Sequence, residues 1–596
     1  MRLKYLLFGF VISAAVIGCA RKAANDNYKD GYIQYSAVKL TPEEKQTLNE
    51  SLNRSHKRYD PEGKMITSTL HGYNYHTDAE SGVFHDIRSS FSYAVSLLDL
   101  GDKQYTQRAF DVIEKTISLQ DQDPNSKSCG VWPYYMEEPL ATKKAPIDYN
   151  WADFNAVSLL DVWMGHQKEI PVAMKPTIKN SIILAAKAVQ KRNCQPGYTN
   201  IAIMGTYVTF MVSHLFDLLE MKEYAQNRMK KFYDYTLDKG GFSEYNSPTY
   251  TFTALDELYH MKMHIVEPSA KQMIDSLYSI GWEMIARHYH QPTGQWAGPH
   301  SRSYSTLVGP SFYAILKEGS NGKIVTGKEE KRRDVKIKHQ IPEFLLHYFL
   351  SPVYPRTESD VFEKVEPKII GTCYMTDKYA LSTANLSSLW IQRRPFLAYW
   401  GDVLNPKYLQ VRFLHDDYDF TSVNFQSQQK ENNVLAGISF VTNGGDKHPS
   451  FDRLKDGKFK AKDLRLRFEF GNVKTEDITI PSSNNSFLVI SLNGLQFNLQ
   501  LYQAIFGQFK GHWEKGSNEK ATWVDFVIYS GDETDFNLSE MKQAVLGFTF
   551  SIGLQGVHLP TDKPVFSIKD GILNTKWNGL TLDIPVKPQP RIGWDY

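Results

Sequence analysis

The sequence predicts two architectures in one chain, a ring of paired helices followed by an antiparallel β-sandwich. Apolar residues recur at helical spacing from about residue 40 to 350. Alternating apolar and polar segments, broken by Gly, Asn, Asp and Ser, take over after that. At 596 residues the chain is also too long for one core.

In the first half, Thr41 precedes Pro42-Glu43-Glu44, a helix start with a capping hydroxyl, a proline at the first helical position and acids in the first turn. Further helices are expected over 87–100, 105–118, 154–166, 175–191, 201–219, 223–238, 252–264, 270–288 and 310–317. Apolar residues recur at helical spacing, as in Phe91, Val95 and Leu98, or Phe210, Val212, Leu215 and Leu219. Many of these helices are apolar on more than one face, which asks for packing against two neighbours, as in a ring of helical hairpins. In the second half, 409–414, 464–470 and 497–502 alternate as half-buried strands do. The basic run 328–338 near the junction reads as a solvated linker.

The opening residues carry their own signal. Arg2 and Lys4 precede an apolar run, Tyr5 to Gly18, which is too short for a comfortable membrane span. Val16-Ile17-Gly18-Cys19 resembles a bacterial lipobox, so residues 1–19 are expected to be a lipoprotein signal with Cys19 lipidated, and 20–39 a polar tether. Residues 40–350 would form the toroid and 351–596 the sandwich. The expected location is a membrane surface outside the cytoplasm, on a lipid anchor. Lys+Arg number 68 against 66 Asp+Glu, a balance that argues against nucleic acid as a partner. Cys129, Cys194 and Cys373 lack metal-ligand spacing. Cys129 with Cys194 is the one plausible disulfide, and three buried free thiols is the alternative preferred here.

Two loops between apolar helices carry chemistry. In Gly241–Tyr250, Glu244, Asn246 and Tyr250 lie close together, and Pro248 disfavours helix just before it, which suggests an extended Asn246. In Gln295–Tyr304, His300, Arg302 and Tyr304 alternate, which in an extended segment puts them on one face. Trp296 in the same loop, Asn150 and Trp151 before one helix, Asn200 before another, and His85 beside Asp86 are expected to bind substrate together with Glu244. N-capping is the competing role for Asp86 and Asn200, and core packing for Trp132, Tyr134, Tyr135 and Trp151.

These residue types suit β-elimination on a uronic acid. Removing the C5 proton builds charge onto the carboxylate, which Asn, Arg or His neutralises. A Tyr or His takes the proton, and a Tyr or His protonates the leaving oxygen. A tyrosine base needs a lowered pKa, which a neighbouring Arg supplies. Asn246, Tyr250, His300, Arg302 and Tyr304 are the expected catalytic set, with no metal or cofactor required.

Toroid, sandwich and an Asn/His/Tyr/Arg site together resemble the polysaccharide lyases of the chondroitin, alginate and heparinase II/III kind. The resemblance lies in architecture across most of the chain and in residue types within the two loops. The lipoprotein signal resembles that of Bacteroidetes glycan-utilisation systems. The resemblance implies a metal-independent lyase acting on an acidic polysaccharide or oligosaccharide, with rhamnose–glucuronate linkages of plant arabinogalactan among the expected substrates. Two other readings stay open: a glycoside hydrolase on the same toroid, pairing Glu244 with Asp153 or Asp86, and a glycan-binding lipoprotein without catalysis. Gln392-Arg393-Arg394, near the start of the sandwich, reads as surface charge, with reaching into the cleft as the alternative.

Overall fold

The computed structural model describes residues 31–591 except 36–38, 73, 332–333, 445–453, 455 and 479–486. The leader, Cys19 and most of the tether lie outside the described residues. Among those described, no helix is long and apolar enough to cross a membrane.

The first half is a double-layered helical ring. Helix α1 spans Pro42–His56, and its start is the capping box of Thr41 and Glu44. Four hairpins follow: α2 (Ile87–Leu100) with α3 (Lys103–Ile117), α4 (Asn150–Gly165) with α5 (Lys175–Arg192), α6 (Thr199–Leu215) with α7 (Leu219–Lys239), and α8 (Tyr250–His264) with α9 (Pro268–His288). Even-numbered α2, α4, α6 and α8 contact one another in succession and form the inner wall, while the odd-numbered partners lie outside. That is why α6 is buried along nearly its whole length: it touches both inner neighbours and two outer helices. Helix α10 (Pro310–Gly319) joins the inner wall through Phe312, which packs edge-on against Phe252 of α8.

Helices α4, α6 and α8 begin two to four residues earlier than periodicity suggested, with first turns that line the ring's interior, and the outer helices α3, α7 and α9 also start early. A hairpin of strands, Met65–His71 and Ser81–His85, was not anticipated. The basic run near 330 is not simply a solvated linker. Lys336 enters the ring and pairs with Asp161 at 2.8 Å and Asp99 at 3.1 Å, and Lys338 meets Glu44 of α1 at 2.9 Å. This strap therefore ties α1, α2 and α4 together.

Among the described residues the last α-helix, α11 (Leu346–Leu350), precedes the first strand of the sandwich, which begins at Arg356. One sheet runs, edge to edge, through strands 512–517, 521–537, 458–471, 406–415, 396–401, 379–384, 369–375 and 356–363, with the short strand 418–419 beside 406–415. The facing sheet runs 487–492, 495–506, 544–554, 433–440, 423–430 and 386–388, and all neighbours in both sheets are antiparallel. Phe396, Trp400, Phe468, Phe497, Phe548 and Phe550 fill the layer between them. A three-stranded sheet, 565–585, covers the outer face of the second sheet. Cys129, Cys194 and Cys373 are all free thiols, but only Cys373 is buried, so neither the disulfide nor three buried thiols describes them.

Ring and sandwich meet along the edge strand 356–363. Arg287 and His288 at the end of α9 bind Glu358 and Asp360, with His288 Nε2 2.8 Å from Asp360, and Tyr245 stacks on Phe362 at 3.7 Å. Burial alone would raise the Asp360 carboxyl, but His288 and Arg287 together pull it down to about 2. Asp360→Ala removes the acceptor from His288 and leaves Arg287 with Glu358 alone, and is expected to destabilise the chain by up to about 3 kcal/mol. In urea titrations the wild-type advantage should be full at neutral pH and shrink as pH falls from about 4 towards 2, because a lowered carboxylate pKa stabilises only while the group is ionised.

Candidate active site

A cleft of about 1380 Å³ runs inside the ring, lined by the first turns of α2, α4, α6 and α8. The loops 241–250 and 295–304 lie at its wall and are zipped to each other. Asn246 adopts a left-handed conformation, φ 47°, rather than an extended one. Pro248 constrains Ser247, its immediate predecessor, and leaves Asn246 unrestrained. From there its Nδ2 donates to the carbonyls of Ala297 at 2.8 Å and Pro299 at 3.0 Å. His300 Nδ1 donates back to the Asn246 carbonyl at 2.7 Å. Ser247 Oγ donates to Arg302 O, and Ser301 Oγ to Tyr245 O, both at 2.7 Å.

The sandwich adds a third strip. The backbones of His300 and Arg394 pair, and Ser303 N donates to Gln392 O at 2.7 Å. Arg302 Nε then donates to Gln392 Oε1 at 2.9 Å, and its guanidinium lies between the rings of Tyr250 and Trp390, 4.9 Å from each. Gln392 thus positions a cation at the cleft wall. Arg394 is buried and donates to the carbonyls of Ile391 and Arg393, so the surface-charge reading does not hold for it.

From Arg302 a continuous polar network runs both ways. Its Nη2 donates to the Tyr250 hydroxyl at 3.1 Å, and Tyr250 shares a 2.7 Å hydrogen bond with Tyr304. On the other side, Arg302 Nη1 lies 3.7 Å from Glu244 Oε1, and Glu244 Oε2 accepts from the Asn200 backbone at 3.4 Å. Tyr250, Tyr304 and Asn200 line the cleft, with Arg302 and Glu244 behind them. Asn200 Oδ1 is buried without a hydrogen-bond partner among the described residues, and none of them accepts from its Nδ2.

Burial sets the protonation states. It pushes Glu244 up to about 7, against the pull of Arg302. It also raises the Tyr250 phenol, outweighing the same Arg302 charge, so Tyr250 holds its proton at neutral pH. The expected lowering of a tyrosine by its arginine is present but is the smaller effect. Burial drives His300 down to about 3, leaving a neutral imidazole.

The expected residues therefore divide. Tyr250, Arg302 and Tyr304 come together. Asn246 and His300 are 1% and 2% exposed and buttress the loops from behind. Alternation does not put His300 on the face of Arg302 and Tyr304, because its imidazole turns inward to Asn246. Asn150 and Trp151 line the cleft, and Trp151 stacks on Tyr134 at 3.9 Å. Asn200 is not an N-cap, since Tyr198 precedes the helix there. Asp86 is one, accepting from Ser89 N at 2.7 Å. Trp296 is fully buried against Phe252 and Phe312 and offers no sugar platform. His85 is held between Asp60 and Glu137, away from the cleft lining. Asp153 is buried, 3.8 Å from Arg192, and burial pushes it to about 7 despite Arg192 and Arg228. Neither it nor Glu244 lines the cleft. Sequence reading missed Arg88, and it gave Gln392 a place at the cleft only as the alternative to surface charge. Arg88 had no signal beyond lying one residue into a helix, and Gln392 only its place beside two arginines.

The model of a family described as a domain of unknown function, DUF8769, matches residues 45–333, which is most of the helical ring. No curated protein matches the chain. Among solved structures, heparinase III is similar over 94% of this chain and 92% of its own, at 9% identity and a TM-score of 0.45. A chondroitin AC lyase of Streptomyces coelicolor A3, in complex with chondroitin sulphate, is similar over 92% of this chain and 86% of its own, at 9% identity and a TM-score of 0.47. A mutant of the heparan sulfate lyase HepC from Pedobacter heparinus is similar over 92% and 90%, at 10% identity and a TM-score of 0.34.

Proposed function

We propose that this chain is a polysaccharide lyase that cleaves a uronate-containing glycan by β-elimination. The observation that carries the reading is the Asn200–Glu244–Arg302–Tyr250–Tyr304 network, whose two ends open into the cleft. Elimination needs a proton taken from C5, a proton given to the oxygen leaving C4, and neutralisation of the carboxylate between them.

The two tyrosines supply both transfers without a free phenolate. Tyr304 accepts the C5 proton while its own hydroxyl proton passes to Tyr250, and Tyr250 donates its proton to O4. The C5–H and C4–O4 bonds break, a C4–C5 double bond forms, and both tyrosines end neutral. Arg302 at 3.1 Å stabilises the negative charge that develops on Tyr250 during the transfer. The Asn200 carboxamide, unpaired among the described residues, is the donor for the substrate carboxylate through its Nδ2. His300 and Asn246 act through the loop geometry alone. In this reading the substrate is an acidic glycan, with rhamnose–glucuronate linkages as one instance, and the lipobox at Cys19 supports action on a lipid anchor outside the cytoplasm.

A carboxylate-pair hydrolase has less support. Glu244 and Asp153 both sit behind the cleft lining and burial favours the proton on each, whereas hydrolysis requires one ionised carboxylate facing the sugar.

Ultraviolet absorbance of unsaturated uronate, followed on a panel of uronate glycans, tests the reading. Tyr250→Phe should lower kcat by about 10²–10⁴-fold with the fold intact, and unchanged turnover would refute the relay. Glu244→Gln should keep measurable elimination. Because a buried carboxyl with a raised pKa loses stability as it ionises, the wild type should weaken as pH rises from about 4.5 to 7. Glu244→Gln should flatten that slope by up to about 3 kcal/mol in urea titrations at each pH.

A further inference from the structure

Arg88 stands in the second position of α2 and lines the same cleft as the tyrosines. Its guanidinium lies over the face of Phe154, 3.6 Å from the ring centre, and 6.0 Å from that of Trp151. Stacking fixes where the charge points and leaves the edge of the guanidinium open for hydrogen bonding. Among the described residues it has no hydrogen-bond partner and no carboxylate within ion-pair distance, unlike Arg302 with Glu244 or Lys336 with Asp99 and Asp161.

The residue is solvent-exposed, yet protein packs around it closely enough to lower its pKa by burial. Both follow from a side chain reaching into the open lumen of a cleft. The carboxylates of Asp86, Glu257 and Asp148 oppose that shift from a distance, and each is engaged elsewhere. Asp86 caps α2, Glu257 faces His260 at 3.5 Å, and Asp148 accepts from Tyr134 at 3.2 Å with His76 3.8 Å away. A cation held on an aromatic face in a substrate-sized cleft, and left without a protein anion, is a preformed seat for a ligand anion.

We propose that Arg88, beside the stacked Trp151 and Tyr134, forms a second anion subsite that takes a carboxylate or sulfate on a sugar flanking the one that is cleaved. The inference rests on the lyase reading for its substrate class. It narrows that class to glycans carrying negative charge on consecutive sugars.

The test measures binding separately from turnover. Calorimetry on the full chain with Tyr250→Phe uses three hexasaccharides: unsulfated chondroitin, chondroitin sulfate, and a glucuronan with a carboxylate on every sugar. With Arg88 present, chondroitin sulfate or glucuronan should bind at least about tenfold tighter than unsulfated chondroitin. A preference for the first alone identifies a sulfate, and for the second alone a carboxylate. Arg88→Ala should abolish the preference and leave affinity for unsulfated chondroitin within about twofold. Arg88→Gln, which keeps the first three side-chain carbons and removes the charge, is read the same way if the alanine variant does not fold. A preference that survives both substitutions overturns the subsite, as does equal binding of all three or binding of none.

Absorbance of unsaturated product, measured in parallel with Tyr250 intact, separates the two readings. Arg88-dependent binding without product removes the lyase reading and leaves the subsite. Product with Arg88-independent binding removes the subsite alone.

Discussion

The clamp on Arg302 is the interaction on which the rest of the site depends. A guanidinium drawn partly out of water must be held by ring faces, hydrogen-bond acceptors or counter-charge. Here no single element supplies enough of them. Tyr250 comes from the start of α8, Glu244 from the loop before it, and Gln392 and Trp390 from the sandwich. Arg302 can take this position only when ring and sandwich are docked. The paired backbones of His300 and Arg394, and the Arg287–His288–Asp360 cluster nearby, are the means of docking. The β-domain is thus part of the site.

Burial and charge are balanced unevenly around that clamp. Glu244 sits 3.7 Å from Arg302, too long for a strong pair, and burial holds its pKa near neutrality. Its neutralisation of the arginine is therefore incomplete, and part of the positive field remains directed at Tyr250. A close, ionised Glu–Arg pair would give a more stable wall but a weaker electrostatic contribution to chemistry at the phenol. His300 shows the same compromise resolved the other way. Its imidazole is buried, neutral and bonded to the Asn246 carbonyl, which makes it a spacer that keeps two loops in register.

The ring explains why the cleft is both long and polar. The first turns of α2, α4, α6 and α8 converge on it, and such turns carry polar residues where the outer helices would bury apolar ones. The strap through Lys336 crosses the interior and holds α2 to α4 through Asp99 and Asp161. Arg88 therefore stands on a wall braced by a buried ion-pair network.

The sequence by itself determined the two architectures and their order. Helical and strand periodicities are local properties written every few residues, and the capping box at Thr41 and the N-cap at Asp86 are local in the same way. It also brought forward the loops containing Tyr250, Arg302 and Tyr304, because chemistry-bearing residues cluster there within ten positions. What it left open was which way each side chain faces. His300 and Trp296 look as active as their neighbours on paper, and turn into the core because Asn246 and Phe252, some fifty residues away, lie behind them. Asn246, which Pro248 does not restrain, takes its left-handed conformation where its side chain reaches two carbonyls across the loop. Arg88 and Gln392 acquire meaning only from the closed ring and its docked sandwich. One is left without an anion and the other is brought against Arg302 by partners that lie far away in the chain, and no short-range pattern records such partners.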